Sequence, residues 1–251
     1  MKRSLTIALV TLAVTTLTLA SSVQTVKDRK ELVLGTDPQY APFESRNERG
    51  DIVGFDVDVA GVIARTLGVK LRTQPTILEL LPQALQSGRV DIAVSGLVVK
   101  ADWKTVGFSE PYFDNSQVYA VRAGNPARFG LANLRGRTVG VRANTIGFLA
   151  ADEQLKPKGA KLKVYSSAGE GLKELRGGQV DAMILDAPSL EYLMNRAPKT
   201  YERLSVTLTS EQYVVGVRRG SDLLPVINRA IKELRASPEY TRLLERWIVE
   251  K

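Results

Sequence analysis

The chain has 251 residues, 44% of them hydrophobic and 25% charged, with no cysteine and no histidine. That composition excludes a disordered chain, a disulfide framework, and thiol, Ser-His or Cys/His zinc chemistry. The formal net charge of +8 is scattered along the chain rather than gathered in runs, which describes a solvated basic surface and not a nucleic-acid interface.

Basic Met1-Lys2-Arg3, an apolar stretch from Leu5 to Leu19 and the small residues Ala20-Ser21-Ser22 read as a secretory signal peptide over residues 1–22, cut after Ala20 or Ser22. The stretch falls short of the length of a membrane span. With no cysteine at the cut there is no lipid attachment either, so a soluble, periplasmic or extracytoplasmic mature protein is expected. Leu32 to Thr36 reads as a buried strand. Asp56 to Leu67 reads as a helix, with Val59, Val62, Ile63 and Leu67 on one face and Gly68 as its stop. Ile77 to Gln86 is the next helical pattern and Val90 to Val94 the next apolar run, and this alternation implies an α/β sheet.

The segment Leu85-Gln-Ser-Gly-Arg-Val-Asp-Ile-Ala93 recurs as Leu175-Arg-Gly-Gly-Gln-Val-Asp-Ala-Met183. Each copy ends a helix at glycine and enters a strand; the spacing suits two similarly built lobes, although such a junction can also recur by chance. Val118 to Val121 and Tyr213 to Val217 read as hinge strands bracketing the second lobe. The tail then returns to the first lobe as two helices. One turns Val226, Ile227, Ala230, Ile231 and Leu234 inward; the other starts at Ser237-Pro238 and lines up Tyr240, Leu243, Leu244, Trp247 and Ile248.

Four segments, in order, carry a resemblance: Gly35-Thr-Asp-Pro-Gln-Tyr-Ala-Pro-Phe-Glu44, Gly54-Phe-Asp-Val-Asp-Val59, Leu85 to Asp91 with Ser95-Gly96, and Phe108-Ser-Glu-Pro-Tyr112. Together they resemble the family 3 solute-binding proteins, the polar amino-acid-binding proteins of ABC transporters, over nearly the whole mature length. The resemblance implies an α/β, type II periplasmic-binding-protein clamshell with two hinge strands. Residues 28–116 and 217–251 would form a discontinuous first lobe, and residues 117–216 the second lobe with the hinge strands. It also implies a monomeric binding protein rather than an enzyme, needing no cofactor or metal. Such a protein closes on one small polar ligand, an amino acid or a close relative, and delivers it to an ABC permease in the membrane.

By the same resemblance Asp37 and Tyr40 lie on the first-lobe rim with Ser95-Gly96, the tyrosine ring covering the ligand. Read locally, Asp37-Pro38 is a turn and Tyr40 packs nearby. Asp186 takes the family's place for the acid that meets the ligand's α-ammonium; alternatively it caps the helix opening at Ala187-Pro188. The turn Arg142-Ala-Asn-Thr-Ile-Gly147 opens a helix whose free N–H groups attract carboxylates. The family puts part of its carboxylate pocket there, at Arg142, Thr145 and Ile146, while Asn144 or Thr145 also suits a plain helix cap.

The sequence departs from the family pattern at one place. After Ser95-Gly96 the family has a Thr-x-Thr stretch and an arginine that grips the carboxylate; here Leu97-Val-Val-Lys-Ala-Asp-Trp-Lys104 stands, and no arginine occurs between Arg89 and Arg122. Trp103 or Asp102 falls in the arginine's place, Val98 replaces a hydroxyl donor, and Ile77 stands where the family has the second aromatic of its clamp. Three explanations stand open: Lys100, Lys104 or Arg142 holds the carboxylate, the ligand lacks one, or the protein has turned to sensing. A dehydratase-like activity on this fold would have to draw a general acid from Asp37, Glu79 or Asp186, and their spacing shows no activated pair.

Overall fold

The computed structural model describes residues 22–124 and 131–248. Apart from Ser22, the signal-peptide segment lies outside the described residues. In chain order α1 (Ser22–Arg29) leads to β1 (Glu31–Thr36), a small antiparallel sheet of β2 (Gln39–Tyr40), β3 (Glu44–Arg46) and β4 (Ile52–Val53), then α2 (Phe55–Leu67), β5 (Lys70–Pro75), α3 (Leu81–Gln86), β6 (Ile92–Ala93) and β7 (Val106–Phe108). Next come β8 (Phe113–Arg122), β9 (Thr138–Arg142), α4 (Ile146–Gln154), β10 (Lys161–Tyr165), α5 (Ala168–Gly177), β11 (Ala182–Asp186), α6 (Ala187–Arg196) and β12 (Tyr201–Tyr213). Then β13 (Gly216–Arg218), α7 (Leu223–Arg235) and α8 (Pro238–Trp247) follow.

The strands form two five-stranded sheets, ordered β5-β1-β6-β13-β7 and β10-β9-β11-β8-β12. The two share a plan: three parallel strands, then one running the other way. The recurring sequence segment explains part of this. Gly88 and Gly178, at φ +73° and +76°, take the left-handed conformation that ends a helix. Val90 and Val180 are then buried. The following aspartate accepts a backbone N–H near the start of the neighbouring central strand, Asp91 Oδ2 from Val33 N at 2.7 Å and Asp181 Oδ2 from Thr138 N at 2.8 Å. Each is also paired with an arginine, Arg29 or Arg137.

The apolar faces pack as the periodicity requires. α2 buries Val59, Ile63 and Leu67 against the first sheet, and Gly68 ends it at φ +73°. α7 adds Leu223, Ile227, Ala230, Ile231 and Leu234 to the same cluster, and α8 adds Leu243. Each large aliphatic side chain so buried contributes roughly 1.5–3 kcal/mol. No helix among the described residues is long and apolar enough to cross a membrane.

The chain passes between the sheets at residues 109–112 and 213–215, where the two segments are hydrogen-bonded to each other. Ser109 N donates to Val215 O at 3.0 Å, Val215 N to Ser109 Oγ at 2.8 Å and Tyr112 N to Tyr213 O at 2.9 Å. Residues 113–116, which the sequence places with the first lobe, pair with 210–213 in the second sheet. Val214 and Gly216, placed with the second, bond to Leu97 and pair with Ala93 and Phe108 in the first. The apolar run Val118–Val121 marks burial inside a sheet rather than the crossing itself. Similarly Ile77 belongs to no helix: a short turn at Leu78–Leu80 precedes α3.

Candidate functional site

A cavity lies between the two sheets, and residues from both line it. On the first wall, β1 ends at Thr36 and delivers Asp37, whose N–H donates to Ser95 Oγ at 3.1 Å. Ser95 Oγ in turn donates to Glu44 Oε1 at 2.6 Å. Gly96 N donates to Asp56 Oδ2 at 2.8 Å, and Tyr112 Oη to Asp56 Oδ1 at 2.8 Å. Gly96 has φ +54°, and a Cβ there would sit 2.6 Å from Tyr40 Cε1. Glycine is therefore what lets the Tyr40 ring lie over this backbone.

Beneath that wall Glu44 and Asp56 are both fully buried. Burial, with the charge of Asp56, holds the Glu44 carboxyl well above its ordinary range; burial raises Asp56 to about 6 despite the donors from Gly96 and Tyr112. Both acids hold their protons more firmly than free carboxyls do, so the floor of the site carries less charge than its two acids suggest.

The second wall is built at the carboxyl end of β11. Asp186 pairs in register with Gln117 of β8. Its Oδ1 accepts from Gln117 Nε2 at 2.7 Å, from Asn115 Nδ2 and from Tyr213 Oη. It makes no side-chain hydrogen bond to the first turn of α6, so the capping alternative is not realised. Tyr213 Oη also lies 2.8 Å from Tyr40 Oη, tying the walls together. Burial raises both phenols well above their ordinary value, so both remain neutral donors.

Arg142, at the end of β9, crosses the cleft: its Nη2 lies 2.9 Å from Asp37 Oδ2. Thr145 caps α4, its Oγ1 accepting from Phe148 N at 3.2 Å and donating to Arg142 O at 2.8 Å. Asn144 Nδ2 reaches Glu79 Oε1 at 2.7 Å and Ser189 Oγ donates to Ala41 O at 3.0 Å, two further bridges between the walls.

Of the residues picked out from the sequence, the cavity brings together Asp37, Tyr40, Ser95, Gly96, Val98, Arg142, Thr145, Ile146 and Asp186. Ile77 and Trp103 are not among its lining. Thr76 continues the strand, its N bonded to Thr36 O at 2.9 Å, so alternation turns Ile77 outward, 50% exposed, and Leu78, which opens the short turn, lines the cavity instead. The Trp103 indole stacks on Phe108 and packs against the apolar cluster behind the first sheet. The cation in this loop that does line the cavity is Lys100, whose Nζ lies 5.0 Å from the Trp103 ring and whose amine is pushed down by burial.

The sequence reading missed Glu211, Tyr213 and Gln117, which also line the cavity. Glu211 Oε1 accepts from Gln117 Nε2 at 2.5 Å and Asn115 Nδ2 at 2.8 Å. Its carboxyl is pushed up to about 7, by burial above all and by the charge of Asp186. The alternation of Glu211 and Tyr213 immediately before the crossing was the available signal, because it puts both on one face of β12.

Residues 32–250 match the family described as bacterial extracellular solute-binding proteins, family 3. The chain belongs to this family. The histidine-binding periplasmic protein of Salmonella typhimurium is 28% identical over 227 residues, covering 87% of each chain. The L-arginine-binding protein of Pseudomonas aeruginosa is 26% identical over 235 residues, covering 90% of this chain and 91% of that one. Among solved structures, an ancestral amino acid-binding protein described as a precursor of cyclohexadienyl dehydratase superposes with a TM-score of 0.82 at 31% identity, covering 91% of this chain and all of the other. A mutant of ArgBP from T. maritima gives 0.80 at 34% identity, with the same coverage. This family 3 protein thus has the type II, two-lobed α/β fold, and its cavity lies in the cleft between the lobes.

Proposed function

We propose that this protein captures an amino acid outside the cytoplasm by closing two lobes on it, and presents the closed complex to an ABC permease in the membrane. The observation that carries the reading is the meeting of Arg142 and Asp37 inside the cavity, one charge from each wall, at a place where an incoming carboxylate can take Arg142 from Asp37. The ligand ammonium goes to Asp186, its carboxylate to Arg142, and the Tyr40 ring covers its side chain. Closure is favoured because only the closed form contacts the ligand from both walls. The protein works as a monomer, exported by a signal peptide over residues 1–22 that is removed, and carries no lipid anchor; mass spectrometry of the envelope fraction tests the cut.

Thermal-shift screening of the amino acids, followed by titration calorimetry, tests the binding role. A ligand at 100 times its dissociation constant adds about 2.7 kcal/mol of stability. No shift with any amino acid or amine overturns the reading. A second reading, catalysis of a dehydratase kind, has one observation in its favour: Glu211 near 7 beside Asp186 resembles a general acid beside an anion. Ultraviolet absorbance during incubation with cyclic dienyl acids would reveal the unsaturated product, and we favour binding because Glu211 is tied to the same amides that hold Asp186.

A further inference from the structure

Glu211 and Asp186 stand side by side on the second wall, held by shared donors. Gln117 Nε2 donates to Asp186 Oδ1 at 2.7 Å and to Glu211 Oε1 at 2.5 Å, and Asn115 Nδ2 donates to the same two oxygens. One oxygen of each carboxylate is thereby satisfied. Glu211 Oε2 is buried with no partner, and the donors from Asn115, Gln117 and Tyr213 all end on Asp186 Oδ1. Two like charges so placed repel each other, and a buried carboxylate oxygen without a donor is costly. What this wall lacks is a cation.

The rest of the lining is poor in places for an anion. Val98 and Ile146 offer no side-chain donor and Thr145 Oγ1 is spent on the α4 cap, which leaves Arg142, once released from Asp37, to take a carboxylate. Lys100 is the other lining cation, and it sits over Trp103.

We propose that Glu211 is a second ligand-binding carboxylate beside Asp186, and that the pair makes the cleft selective for ligands of net positive charge: basic amino acids and carboxylate-free amines. This rests on the binding reading above and adds the charge class. Glu211 faces Asp186 from β11, Tyr213 on its own strand, Tyr40 from the first wall and the two amides of β8, with Asp37, Glu44, Arg142 and Lys100 sharing the cavity. With its carboxyl at about 7, a cation arriving beside it displaces a proton. A ligand that brings a second cation to Glu211, beyond the ammonium that Asp186 takes, therefore binds more tightly as pH rises from about 6 to 8, whereas the single ammonium of a neutral amino acid goes to Asp186.

The test is titration calorimetry of the full mature protein with L-arginine, agmatine and L-glutamine near pH 6.5, in two buffers of different ionisation enthalpy. The unmodified protein should bind arginine and agmatine more tightly than glutamine and release a proton with each cation. Glu211→Gln, with circular dichroism confirming its fold, should weaken both cations by about 30-fold or more, abolish the proton release, and change glutamine by less than about threefold. Glu211→Asp, which keeps the charge, should retain the release. A Gln variant that binds the cations as the parent does, or that loses all three ligands equally, overturns the proposal. Tight binding of glutamine without either cation overturns it too, while leaving the amino-acid reading intact. Failure of the unmodified protein to bind any of the three probes, with no response in the thermal-shift screen, overturns both.

Discussion

Arg142 Nη2 and Asp37 Oδ2 lie 2.9 Å apart across the cleft, with side chains 17% and 5% exposed. A pair so enclosed helps hold the walls together only while both partners are present, because removing one leaves a charge without its counter-ion in a poorly hydrated place. Arg142→Ala should therefore open the unliganded protein, read as a larger radius of gyration by small-angle scattering. It should weaken amino acids by about 2–5 kcal/mol in titration calorimetry. Amines without a carboxylate should hold their affinity or gain, since Asp37 is released to meet them.

Asp186→Asn keeps an oxygen for the donors from Gln117, Asn115 and Tyr213 while removing the charge. Ligands with an ammonium group should weaken by roughly 2–5 kcal/mol. The melting temperature of the unliganded protein should not fall, because the substitution also relieves repulsion with Glu211. A large drop in melting temperature with unchanged affinity would assign Asp186 to structure alone.

Gly96→Ala forces a side chain into the left-handed region and into the Tyr40 ring, 2.6 Å from the new Cβ. The backbone cost is about 1–2 kcal/mol, and displacing the ring breaks the Tyr40–Tyr213 hydrogen bond. Urea unfolding should show the loss in stability, and calorimetry a matching loss in affinity for every ligand that the ring covers.

The Glu44–Asp56 pair sets a pH dependence of known sign. Both carboxyls sit higher in the folded chain than in the unfolded one, so the stability they contribute is complete below about pH 4 and is lost as pH rises through 6, where Asp56 ionises, and beyond, where Glu44 follows. Glu44→Gln, whose amide donates to Asp56 and accepts from Ser95 without a proton to lose, should match the parent at pH 5 and melt at a higher temperature at pH 8. Parallel melting curves against pH for the two proteins would show that the Glu44 carboxyl contributes nothing to this pH dependence.

Much of the fold was legible because it rests on local signals. The left-handed glycines at 88 and 178, the apolar stripe of α7 and the recurring Val-Asp at 90–91 and 180–181 each have a short-range physical cause. The cavity is less local. Asp37, Arg142 and Asp186 stand at strand ends, where a motif can be placed. Glu211 and Gln117 owe their position to the register of β8 against β12, which shifts twice along its length, and no short segment encodes that. Trp103 misled for a related reason: its place in the motif suggested the cleft, while the energy of burying an indole against Phe108 drew it behind the sheet.

The order of the strands has a consequence for how the chain is made. The second sheet draws on one unbroken stretch, residues 113–213, and can assemble as soon as that stretch exists. In the first sheet β13 lies between β6 and β7, so these two strands, both made before that stretch, remain unjoined until residues 216–218 arrive. Until then the facing edges of β6 and β7 have no partner. Closing so long a loop is entropically slow, and unpaired strand edges invite association with other chains, so the first lobe is expected to be the later to fold and the more exposed to aggregation.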